Sequence, residues 1–198
     1  HDGFLSIRLQ DGSIIRVQAD SDLQLQRLRK RSRPGTARSV IELQRGAVDP
    51  TVTPGTDGAR RLDIHTPKAT ASVRGTHFWV SAEQDGRMLT AVQQGTVAVQ
   101  GRRASGRQTL LAHGQGVAVD ASGGVGTPTP LLAAPDLSQL PATVHDASFL
   151  RLTLPTLANA SAYQVQVARD ADLTEVLRSA TTRTPTLTLP AVEDGRYQ

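Results

Sequence analysis

The chain has 198 residues, a length that admits one domain and part of a second. Aromatic residues are 3% and hydrophobic residues 38%, so any core is assembled from Leu, Val, Ile and Ala; 22 Lys and Arg against 18 Asp and Glu give a formal charge of +4, which attracts polyanions without selecting one. With no Cys, disulfides, thiolate catalysis and Cys-based zinc sites are excluded.

Alternation of period two opens the chain. Leu5, Ile7 and Leu9 alternate with polar residues, "QDG" turns the chain at Asp11-Gly12, and Ile15, Val17 and Ala19 resume. Leu23 and Leu25 continue the pattern in "DLQLQRL", and a break is expected at "RKRSRPGTARS". A weak repeat recurs as an apolar residue, a Gly three later and a β-branched residue two after that: Leu9-Gly12-Ile14, Leu43-Gly46-Val48 and Val92-Gly95-Val97, with Leu111, Gly114 and Val117 a looser copy. The glycine spacings, 34, 49 and 19 residues, are too irregular for a strict array and suit stacked hairpins closed by turns at Gly. The fold class expected is all-β: an irregular stacked-hairpin, solenoid-like domain over 1–120. Residues 121–147, rich in Pro, Gly and Ala, read as a linker. From 148 to 198, Leu150, Leu152 and Leu154, then Tyr163, Val165 and Val167, predict strands with one buried face and a partial sandwich.

"TPKATASVRGTHFWV", residues 66–80, holds the single Trp. Pro67 keeps Thr66 extended, Ala69, Ala71 and Val73 alternate inward, and Phe78 and Val80 share the parity that follows. Gly75 suits a bend where another backbone comes close, and Arg74 would pin the carbonyls of adjoining turns with its five fixed donors. The stretch has neither nucleophile nor base, so it reads as a structural corner.

Elsewhere the chemistry is sparse. Arg27, Arg29, Lys30, Arg31 and Arg33 form a basic run that would meet phosphates or other anions, but no aromatics interleave with it and no recognition helix is visible, so nucleic acid is not expected as a partner. His1, His65, His77, His113 and His145 show no metal-ligand spacing; His65 and His77 would approach across neighbouring strands. No Gly-x-Ser-x-Gly elbow or phosphate-binding loop occurs, and "HGQGVAVD" reads as a strand turn. No cofactor or metal is expected. No run of about 18 apolar residues crosses a membrane, and because the chain opens on His1 we expect it to be part of a longer precursor.

Thr66-Pro67, Val73-Arg74-Gly75-Thr76, Phe78, Val80, Val92-Gly95-Val97 and Ala112 to Gly116, in that order, resemble the FecR domain family, with His113 a departure inside the last element. The resemblance spans about residues 2 to 120 and assigns Thr66, Pro67, Val73, Arg74, Gly75, Thr76, Phe78, Gly95, Gly114 and Gly116 to the family's structural motif. Residues 148–198 resemble the first half of a fibronectin type III-type sandwich, with Leu154 near the place of its usual Trp. The resemblance implies an all-β periplasmic module. In the best-known members it passes a signal from an outer-membrane siderophore transducer to a cytoplasmic anti-sigma segment; in a second group it sits between a peptidoglycan-binding LysM module and fibronectin-like repeats. We expect a non-enzymatic periplasmic or secreted envelope module that contacts an envelope protein or an anionic polymer such as peptidoglycan. The alternatives are a regulator of an extracytoplasmic-function sigma factor and a carbohydrate-active enzyme.

Overall fold

Apolar and polar residues alternate through most of residues 5–131, and that alternation becomes twelve strands. They are β1 Leu5–Arg8, β2 Ile14–Val17, β3 Asp22–Lys30, β4 Ala37–Thr51, β5 Arg60–His65, β6 Ala69–Val73, β7 His77–Ala82, β8 Met88–Gln94, β9 Thr96–Gly101, β10 Thr109–Ala112, β11 Gln115–Val119 and β12 Thr129–Pro130. The computed structural model describes residues 5–30, 37–54, 60–103, 107–140, 148–160, 162–170, 175–193 and 195–197, with the backbone alone at 27–30, 37, 60 and 139. It forms two units, residues 5–131 and 132–198. The described residues are all-β apart from one 3-10 turn at Leu137–Gln139, and among them no helix is long and apolar enough to cross a membrane.

The twelve strands make one sheet with two arms, joined by the 15-residue β4. Its first half pairs antiparallel with β3 and parallel with β5; its second half pairs with β2 and β7. One arm, here the β6 arm, runs β10-β9-β6-β5-β4-β3; the other, the β7 arm, runs β1-β2-β4-β7-β8-β11-β12. Inward residues of both arms form a single core that includes Ile41, Leu43, Ile64, Ala71, Phe78, Val80, Met88, Val97 and Val117. Ala69 and Ala71 are small, so β6 takes little space in that core, and Phe78, the largest fully buried side chain, fills it from the opposite arm. Burying a side chain of that size contributes about 2–3 kcal/mol.

A chain that alternates between arms needs sharp corners. It crosses at residues 18–21, within β4 at Gly46, between β4 and β5 through a connection whose residues 55–59 lie outside the described ones, between β6 and β7 at Gly75, between β8 and β9 at Gly95, and between β10 and β11 at Gly114. Asp20 and all four of these glycines have positive φ, as does Gly12 in the β1–β2 turn. The sequence repeat therefore marks turns and corners. At Gly46 the requirement is double: φ is +94°, and a Cβ would lie 2.5 Å from the Ser21 Cα. The Ser21 hydroxyl accepts from the Ala47 N–H (3.0 Å) and donates to the Ala47 carbonyl (3.2 Å), fastening one corner onto the next. Gly75 lies against Pro54, whose Cα would be 2.9 Å from an added Cβ.

Several expectations shift. β2 ends at Val17, and Ala19 is exposed in the crossing. The break expected at "RKRSRPGTARS" begins later, because β3 runs to Lys30. Residues 121–131, which read as linker, return onto the sheet: Asp120 Oδ1 accepts from Ser122 N–H, Ser122 hydroxyl and Gly124 N–H, Val119 bridges Val125, and β12 pairs with β11. A side-chain-capped turn does not need apolar periodicity, which is why composition alone suggests a linker.

In the second unit, β13 Phe149–Thr153 pairs with β16 Thr186–Pro190, and β14 Tyr163–Ala168 pairs with β15 Val176–Thr182. Leu154, Tyr163, Val167, Leu187 and Leu189 are buried, with Leu150, Leu152 and Val165 packed against them. β15 has no counterpart among the expected strands, since "VLRSATT" has no alternation of burial or polarity.

Gly114 has positive φ but open space around its missing Cβ, unlike Gly46. In urea unfolding followed by fluorescence of Trp79, Gly114→Ala should cost about 1 kcal/mol and Gly46→Ala about 3 kcal/mol. Equal costs would show that the close approach to Ser21 is relieved without loss.

Candidate functional site

On a half-buried sheet the outward face is where polar residues can act on other molecules. On the β6 arm, outward positions alternate with the core residues Leu62 and Ile64 of β5 and Ala71 and Val73 of β6, which places Arg61, Asp63, His65, Thr70 and Ser72 on that face. Asp63 is the unusual member, its side chain being only 1% exposed. It is buried beneath side chains from neighbouring strands. Its Oδ2 accepts from Arg38 Nε (3.0 Å) and lies 2.9 Å from Arg38 Nη2. Its Oδ1 accepts from Arg61 Nε (2.7 Å) and from the Ser72 hydroxyl (2.6 Å). Arg61 Nη2 also donates to Ser72 Oγ at 3.1 Å. Burial pushes the Asp63 carboxyl up, but the Ser72 and Arg61 hydrogen bonds, the Arg61 charge and the Arg38 hydrogen bond together outweigh it and hold the group below its ordinary value.

The two arginines are 56% and 38% exposed, so a charge-neutralised pair lies under a surface that remains cationic. Two grooves cross this face. One of about 540 Å³ is lined by Glu42, Gln44, His65, Thr70, Gln100 and Arg102, among others; the other, of about 290 Å³, runs from Arg61 and Arg74 towards Gln108 and Leu110. Beside the second groove is β10, which among the described residues pairs with β9 alone, and its Leu110 is 65% exposed.

The β7 arm has a polar cluster of its own. Arg16 and Asp49 are buried and face each other across β2 and β4. His77 Nε2 lies 2.9 Å from Asp49 Oδ1, and Arg16 Nη1 donates to Thr51 Oγ1 at 3.2 Å. Among the described residues no serine or threonine hydroxyl bonds to that imidazole, so the Asp–His pair lacks a nucleophile.

The residues of the sequence motif are spread along the fold and do not converge on a site. Thr66 and Pro67 close the β5–β6 turn, where Thr66 N–H donates to the Ala69 carbonyl at 2.8 Å. Val73 and Phe78 are core. Gly75, Gly95 and Gly114 are corners, and Gly116 lets β11 lie close to β8, since a Cβ there would sit 3.0 Å from the Thr90 carbonyl oxygen. Arg74 requires a correction: it is exposed and bonds to no other described residue, so it does not pin the corner. Thr76, buried, does so instead, donating to the Thr96 carbonyl (3.2 Å) and accepting from Val52 N–H (2.9 Å) at its own carbonyl.

His65 and His77 stand on different arms and are not on neighbouring strands, which corrects the expected approach. His113 Nδ1 bonds the Gln93 carbonyl. Of the basic run, Arg27, Arg29 and Lys30 occupy β3, with Arg29 in register with Arg38; Arg31 and Arg33 lie outside the described residues, as do His1 and His145. Among the described residues no group of His, Asp or Glu could hold a metal ion. Reading the sequence alone misses Asp63. Its signal is present in "RRLDIH", an acid on the outward parity of a strand with a cation two residues before it.

Residues 1–98 match the family model described as FecR protein. No curated protein matches the sequence. Two crystal structures of a candidate anti-sigma factor from Parabacteroides distasonis ATCC 8503 are similar in fold, each 18% identical, with TM-scores of 0.53 and 0.54. Each match covers 77% of this chain and 64% of that one, so the chain spans less than two thirds of the length of those structures.

Because the folded Asp63 carboxyl is held below its ordinary value of 3.8, the stability it contributes is complete above that value and is lost as pH falls through the lowered folded value. Asp63→Asn should lower stability at pH 7 by about 1–3 kcal/mol and flatten this part of the acid profile. An unchanged profile between pH 5 and pH 2 would show that the carboxylate is not coupled to folding.

Proposed function

We infer that this FecR-type chain, matched to the family over residues 1–98, is the extracytoplasmic β portion of a signal-transducing regulator that acts on an extracytoplasmic-function sigma factor. The family match carries the reading, and the fold likeness to a candidate anti-sigma factor supports it over a passive envelope scaffold. In this reading the chain is non-enzymatic and periplasmic. Its buried carboxylates support the first of these, being engaged in structural bonds: Asp63 is committed to two arginines and a serine, and Asp49 bonds to His77. Iron or siderophore status is the signal that the family resemblance suggests, and transmission requires a membrane-crossing segment outside these 198 residues.

The corners stack, an added Cβ at Gly95 lying 3.0 Å from the Gly75 carbonyl oxygen, which supports the description as stacked hairpins. Residues 148–198 are read as a fibronectin type III-like partial sandwich, supported by two antiparallel pairs around one small core and by Tyr163, whose phenolic oxygen accepts from Leu157 N–H at 3.0 Å. Partner contact by strand addition would use β10, which among the described residues pairs with β9 alone.

Deletion of the gene should change transcription from promoters read by one extracytoplasmic-function sigma factor, and the full-length gene supplied in trans should restore it. A transcriptome unaltered by deletion, with weakened envelope integrity, would overturn the regulatory reading and favour the scaffold.

A further inference from the structure

Three arginines line up across the outer face of the β6 arm. Arg38 and Arg61 are register partners on β4 and β5. Arg74, one residue past β6, continues the register that pairs Leu62 with Val73, and so stands opposite Arg61. Asp63 is the acid that the structure shows bonded within this row, to Arg38 and Arg61. Three guanidinium charges against one carboxylate leave a surplus of two. The groove of about 290 Å³ lies beside them, lined by Arg61, Ser72, Arg74, Thr96, Gln108 and Leu110, with others.

We propose that this groove binds a phosphomonoester group, held between Arg61 and Arg74 with the Thr96 hydroxyl and Gln108 amide alongside. A dianion matches the surplus charge, and guanidinium forks match phosphate oxygens in geometry. Arg61 is oriented before any ligand arrives, because Asp63 takes its Nε and Ser72 its Nη2. These bonds fix the guanidinium plane while leaving the rest of its five N–H donors to the groove. Asp63 is thus a positioning residue. Arg74 bonds to no other described residue and is exposed, so engaging a ligand breaks no hydrogen bond or ion pair among the described residues. The groove is larger than a bare phosphate, and Ala98 and Leu110 give it an apolar side that suits a sugar ring or the glycerol end of a lipid headgroup. Both sources share the phosphomonoester, which is what the arginines read.

The inference rests on groove chemistry and is independent of the sigma-factor reading. The test uses the full chain with glucose 1-phosphate by calorimetry and with phosphatidic acid vesicles by co-sedimentation, phosphatidylcholine vesicles serving as the uncharged control. The chain should bind at least one phosphomonoester probe, more weakly as salt rises. Arg74→Ala should lower that affinity about tenfold or more without moving the urea midpoint, and Arg61→Lys should also lower it, because an ammonium lacks the fork. Retention of the vesicles alone identifies a lipid headgroup, and binding of the sugar phosphate alone a soluble ligand. Binding of neither probe, or an Arg74→Ala variant that binds as tightly as the unaltered chain, overturns the proposal.

Discussion

The fold depends on a backbone constraint at the crossings between arms. A strand that leaves one arm must turn sharply enough to enter the other within a residue or two, and L-residues rarely adopt the positive φ that such turns use. At five of its six crossings the chain meets this with Gly46, Gly75, Gly95 and Gly114, and once with Asp20; the β4–β5 crossing includes residues outside the described ones. The corners also support one another. Ser21 is bonded to Ala47 in the bend of β4, and Thr76 bonds to the carbonyl of Thr96 just past Gly95. Because the Gly46 corner is packed against Ser21 and the Gly95 corner against Gly75 and Thr76, the two arms close over one core despite the scarcity of aromatic residues.

With the apolar residues used inside, the outer faces are left to polar groups, and these are paired in an uneven way. Asp63 is buried under two arginines and a serine; Asp49 is buried with His77 and Arg16 close by. Buried carboxylates are tolerated only where hydrogen bonds and counter-charges compensate for lost water. On the β6 arm the compensation exceeds the need, since one acid meets two cations and Arg74 adds a third. The surplus turns a stabilising cluster into a surface with a preference for anions. It also holds one guanidinium in a fixed plane, so less ordering is left to do on binding.

Legibility along the sequence follows local geometry. Ala69, Ala71, Val73, Phe78 and Val80 are readable as inward residues because strand parity is a property of neighbours in the chain, and all five are buried. Gly75 is readable as a close approach for the same reason. Ala19 and β15 are not, the first because a corner interrupts parity without a glycine to announce it, the second because "VLRSATT" carries no alternation. The duty that the sequence suggests for Arg74 is performed by Thr76. Sequence shows which residues adjoin a corner, but only the tertiary structure shows that Thr76 turns into it and Arg74 out of it.

The sequence by itself determined the class of structure, the turn positions and the resemblance to the FecR family, since alternation, Gly placement and the order of the motif elements are all local or collinear features. The tertiary structure alone decided that β4 joins two arms, that residues 121–131 return onto the sheet, and that Arg38, Arg61 and Ser72 meet at Asp63. Arg38 stands 25 residues before Asp63 and Ser72 nine after it. They become neighbours through a parallel pairing on one side and an antiparallel one on the other, and no periodicity in the chain encodes which strands will lie side by side.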